Sequence, residues 1–70
     1  MFIHTGKFFC HFMDDDTQKD FPSLREAQEA AAAHVGNNSY SKLPNQNTYL
    51  YGPGDGTTSV MVREHVRFEG

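Results

Sequence analysis

The run SLREAQEAAAAHVG, residues 23–36, constrains the fold more than any other stretch, because it carries its own start, stop and buried face. Ser23 and Glu26 have the spacing of a capping box, in which the Ser23 hydroxyl accepts from the Glu26 N–H and the Glu26 carboxylate reaches back. Gly36 supplies the left-handed residue that commonly ends a helix. The spacing predicts one helix over residues 24–35. Leu24, Ala27, Ala31 and Val35 then fall on one stripe, with Arg25, Glu26 and Glu29 opposite. A stripe made mostly of alanine buries little area and lets a helix lie close on a sheet. The sheet must supply the bulk from aromatic and branched side chains.

Three segments have that composition. Residues 2–13 read as a strand with Phe8, Cys10 and Phe12 on one face, Phe9, His11 and Met13 on the other, and Gly6 as the place for a bulge. Residues 48–51 read as a short strand. Residues 57–68 form the longest alternating run, with Val60, Val62, Val66 and Phe68 on one side and Met61, Arg63, His65 and Arg67 on the other. Glu64 interrupts the apolar side, which suggests a bend or a polar edge. Between these segments, DDDTQKDFP reads as a polar turn, residues 36–47 as a loop and GPGDG, residues 52–56, as a turn. The order is strand, helix, strand, strand. A right-handed crossover sets the first two strands parallel and lets the third lie between them, antiparallel to both.

The expectation is a single α+β domain over residues 1–70: a three-stranded, mostly antiparallel sheet with one helix on one face. The other face, expected to carry some of Phe9, His11, Met13, Tyr49, Tyr51, Met61 and His65, would need a cover. A chain of 70 residues buries only about 60% of the surface its unfolded form exposes. A partner, or a second copy, is therefore an expected source of extra stability.

Composition narrows the function. One cysteine, Cys10, permits no internal disulfide, which fits a reducing, cytoplasmic setting. The N-terminal residues lack the pattern of a signal peptide, and no apolar run is long enough to span a membrane. A net charge of −3 with six Lys and Arg spread thinly argues against direct nucleic-acid binding. Cys10 and His11 are neighbours on a strand and point to opposite faces, so they make no nucleophile–base pair. The four histidines lack zinc-ligand spacing, although His11 and His65 share the open face in this reading. No metal and no enzymatic activity are expected.

Two acidic or glycine-rich runs invite comparison with ligand loops. In DDDTQKD, Asp14, Asp16, Gln18 and Asp20 alternate as in a calcium loop, but Lys19 and Arg25 stand where the loop needs Gly and Glu. GDGTTSV, residues 54–60, is similar to the phosphate-holding run of group II chaperonins. That resemblance implies Gly54, Asp55, Gly56, Thr57 and Thr58 around a nucleotide phosphate. The residues that follow, VMVREHVRF, alternate as a strand, so no helix N-terminus faces the phosphate and no Walker lysine follows. The glycines then serve a hairpin turn, and no cofactor is expected.

What remains is a protein that works by occupying a partner's surface. The expected contact residues are Asp14, Asp15 and Asp16 of the acidic turn, with Phe9, His11, Tyr49, Tyr51 and Arg63 of the open face. In size, acidity, single cysteine and lack of enzyme motifs the chain resembles the small proteins that phages use against bacterial defences, such as anti-CRISPR inhibitors. The resemblance implies blockade of a nucleoprotein effector complex in the host cytoplasm, with the three aspartates meeting Lys or Arg on the target. The rival expectations are a homodimeric structural or regulatory protein and a nucleotide- or metal-binding regulator.

Overall fold

The computed structural model describes residues 1–44, 47–54 and 56–69, and its helix falls where the capping signals place it. α1 runs Leu24–Val35; the Ser23 side chain accepts from the Glu26 N–H, and Gly36 is left-handed at φ 78° with its N–H on the Ala32 carbonyl. Among the described residues no helix is long and apolar enough to cross a membrane.

The sheet has five strands, not three. They are β1 (Phe2–Phe12), β2 (Thr17–Phe21), β3 (Tyr40–Lys42), β4 (Thr48–Tyr51) and β5 (Val60–Phe68), in the order β2-β1-β5-β4-β3. Every neighbouring pair is antiparallel. The centre is the arrangement read for the three apolar segments, with β5 between β1 and β4. The two additional strands are the edges, and both lie in segments whose polarity reads as turn or loop. TQKDF pairs with β1 from Phe8↔Phe21 to Phe12↔Thr17, so the acidic turn shrinks to residues 13–16. Asp16 turns it at φ 56°, a conformation Asp tolerates better than most residues. YSK pairs with β4 inside the segment read as a loop. Polar and charged side chains on edge strands discourage further pairing, which is also why these strands lack an apolar signature.

The helix packs on one face only. Ala27 and Ala31 are buried against Phe8, Cys10, Tyr51, Val60 and Val62, and the Cys10 thiol donates to the Ala27 carbonyl at 3.2 Å. So short a distance from strand to helix backbone is what the alanine stripe permits. Burial pushes the Cys10 thiol up to about 11, leaving a neutral apolar residue.

Tyr49 and Tyr51 are corrected in their facing. They pair with Val62 and Val60, and directly paired residues share a face, so both point to the helix side. Tyr51 is 2% exposed. Thr48 and Leu50 take the open face instead.

Gly6, at φ 75°, lies within the register shift between His4 and Phe8, the expected bulge. Glu64 sits opposite it. The Glu64 side chain is 7% exposed, with His4 Nδ1 2.6 Å from its carboxylate, Asn47 Nδ2 donating at 2.7 Å and the Gly6 N–H donating at 3.3 Å. Burial alone would raise its pKa; the hydrogen bonds from Asn47, His4 and Gly6 outweigh it and hold the group below its ordinary value. Asp14 is also lowered, chiefly by its hydrogen bond with His34. A carboxylate with a depressed folded-state pKa stabilises the fold above its unfolded value, and that stability is lost as pH falls through the folded one. The melting temperature is therefore expected to fall between pH 5 and pH 3. Glu64→Gln should cost about 1–2 kcal/mol at pH 7 and shrink the acid loss. Thermal melts of both proteins across that range check it; an unchanged acid loss in the variant removes Glu64 as a source.

Candidate partner-binding surfaces

The length of the helix decides which surfaces are left free. Twelve residues of α1 reach about 18 Å at ~1.5 Å per residue, whereas the 11 residues of β1 reach about 36 Å at ~3.3 Å per residue. The helix and the partner strands β2 and β4 all lie over the C-terminal half of β1 and the N-terminal half of β5. Beyond the bulge the two central strands continue alone as a projecting ribbon, and the molecule measures 40 × 22 × 21 Å.

The ribbon ends in an apolar tip. Phe2 and Phe68 pair across the strands with ring centroids 5.2 Å apart, and they are 64% and 65% exposed. Val66 is 47% exposed, and Met1 adds to the patch. Val66 and Phe68 belong to the same side of β5 as the core valines, but no helix reaches them. Phe2, Val66 and Phe68 were not among the expected contact residues. The difference in length between helix and strand was the available signal.

Below the tip, where β4 ends and β5 runs on, lies a notch of about 550 Å³ whose lining includes Phe2, His4, Lys42, Arg63, Glu64 and Val66. Glu64 is turned inward to its three donors. Lys42 and Arg63 make no ion pair among the described residues.

The open face covers itself in part. Phe9 is half-buried under His65, with centroids 4.7 Å apart, and His65 Nε2 lies 3.1 Å from Asp20 on the edge strand. His11 lies on the same face, 2.8 Å from Asp16. His11 pairs with Met61, four residues along β5 from His65, so the two histidines are separated by about 13 Å at ~3.3 Å per residue. Among the described residues no group of three or more His, Cys, Asp or Glu could hold a metal ion. Of the expected contact residues, Phe9, His11 and Arg63 share this face, Tyr49 and Tyr51 face the helix, and Asp14, Asp15 and Asp16 stand together in the exposed turn between β1 and β2.

That acidic turn is internally braced. Asp14 Oδ2 is 2.9 Å from His34 at the end of α1, Asp15 accepts from Thr17 through its amide at 3.2 Å and its hydroxyl at 2.7 Å, and Asp16 meets His11. The carboxylates remain exposed but are engaged with the protein itself.

The glycine-rich stretch is a connection between β4 and β5. Gly54 and Gly56 are at φ 98° and 91°, and Asp55 lies outside the described residues. The strand that follows starts at Val60 rather than residue 57, and no helix follows. The Ser59 N–H donates to the Tyr51 carbonyl at 2.8 Å as β5 begins.

Comparison with protein-family models, curated proteins and solved structures finds no match to the chain.

Proposed function

We propose that this chain is a non-enzymatic protein-binding module that engages its partner with the projecting end of the β1–β5 ribbon. The observation that carries this reading is the exposure of Phe2, Val66 and Phe68 together at one end of the molecule. Aromatic side chains held on a rigid ribbon lose little conformational freedom on binding and can fill pockets on a partner. The inertness of Cys10 supports the non-enzymatic part, since its thiol is buried and neutral. A single unpaired cysteine supports a reducing compartment such as the cytoplasm.

Affinity capture from a bacterial lysate with three baits tests the choice of surface. The baits are the wild type, Phe2→Ser with Phe68→Ser, and Asp14, Asp15 and Asp16 each changed to Lys. The tip variant is expected to lose at least tenfold of the captured partner while keeping its circular dichroism spectrum. The turn variant should retain the partner. The opposite pattern would assign binding to the acidic turn, as expected of a phosphate-mimicking inhibitor, and would remove the tip. Light scattering of the wild type distinguishes association with a second copy, which would appear as a concentration-dependent rise in mass.

A further inference from the structure

We infer that the notch beside β5 takes an extended acidic peptide segment of the partner, added as a strand to β5 beyond the end of β4. This rests on the protein-binding reading and specifies how the partner is held.

The strand edge supplies the first half of the argument. In an antiparallel ladder, successive residues send their backbone groups alternately to the two neighbouring strands. The Glu64 N–H goes to the Asn47 carbonyl on the β4 side, and the Glu69 N–H goes to the Met1 carbonyl on the β1 side. By alternation, Val66 and Phe68 direct their N–H and C=O toward the β4 side. The β4–β5 ladder stops at Thr48↔Arg63, and among the described residues these edge groups have no backbone partner. A peptide lying there would complete about four backbone hydrogen bonds, as in strand addition to an open sheet edge.

Charge supplies the second half and selects the occupant. Lys42 and Arg63 reach the notch from β3 and β5 and lack carboxylate partners among the described residues. The nearest carboxylate, Glu64, is 7% exposed and directed to its own donors. An acidic side chain on the added strand meets both cations, and an apolar one beside it packs on Phe2 and Val66. The occupant is thus an extended segment alternating apolar and acidic residues. A second copy of this chain offers the notch no such segment among its described strands: β1 and β5 carry Lys7, Arg63 and Arg67, and β2 carries Lys19.

Nuclear magnetic resonance of the full chain, titrated with a capped hexapeptide of alternating valine and glutamate, tests the inference. The same peptide with lysine in place of glutamate is the control. The glutamate peptide is expected to shift the Val66 and Phe68 amides and slow their hydrogen exchange. The lysine peptide should bind at least tenfold more weakly. Lys42→Gln combined with Arg63→Gln should weaken the glutamate peptide about tenfold without moving the melting temperature. Equal binding of the two peptides, shifts confined to β2 or β3, or protection of the Val66 and Phe68 amides by self-association alone would each overturn it. If partner capture depends on Phe2 and Phe68 while the glutamate peptide leaves those amides unmoved, the notch inference falls and the binding reading stands.

Discussion

A Gly52→Ala protein is expected to be largely unfolded at room temperature. A Cβ at position 52 would lie 1.9 Å from the Thr57 carbonyl oxygen and 3.0 Å from its carbon, so the obstruction is backbone and no side chain can swing aside. The loop cannot simply widen there. Asn37 donates its side-chain N–H to the Gly52 carbonyl at 3.2 Å, and Ser59 closes onto Tyr51 at 2.8 Å. Relief therefore displaces the entry to β5, which carries the buried valines. Overpacking of this kind costs about 1–3 kcal/mol or more, against a total of ~3–5 kcal/mol for a chain this short. Gly54→Ala and Gly56→Ala are the controls. Their Cβ atoms meet nothing within 4 Å, and the cost is only the left-handed backbone, about 1–2 kcal/mol. Urea unfolding followed by circular dichroism ranks the three; a Gly52→Ala protein as stable as Gly54→Ala would refute the close approach.

Ala27→Leu is expected to be the second most damaging single change, at about 2–3 kcal/mol. Ala27 has no exposed surface and its carbonyl accepts from the Cys10 thiol at 3.2 Å, so the helix backbone sits directly on the strand. Three added carbons must lift the helix, and lifting it uncovers Val60 and Val62 as well. Ala33→Leu, on the exposed side of the same helix, raises residue volume and apolarity equally and should leave stability within about 0.5 kcal/mol. Equal midpoints in urea for the two variants would show that the helix does not ride as close as the alanine stripe requires.

These two positions differ in how legible they were. The helix was readable because its caps and stripe are local: Ser23, Gly36 and the alanines act within one or two turns of themselves. β2 and β3 were not, because TQKDF has one large apolar residue and YSK has three residues in all. They are held by pairing with strands already read, a relation no local pattern encodes. The facing of Tyr49 and Tyr51 was hidden for the same reason. In TYLY both parities are apolar or aromatic, and only the register with Val60 and Val62 decides which side is buried. The apolar tip escaped notice because Phe2, Val66 and Phe68 look like core residues; only the reach of the helix, set against the reach of the strand, separates covered from uncovered. Gly52 stands apart again, since its role depends on a carbonyl five residues away.

The bulge at Gly6 also sets how the molecule breathes. On its core side, β1 is flanked by strands on both sides and roofed by α1. On the tip side it has only β5, the ring contact of Phe2 with Phe68 and the Met1–Glu69 hydrogen bonds. One continuous strand thus spans two tiers of local stability, and its outer tier opens at a free-energy cost well below that of global unfolding. The tip therefore samples open and zipped forms while the fold behind it stays intact. A partner selects the zipped form, so part of its contact energy goes into holding the ribbon closed.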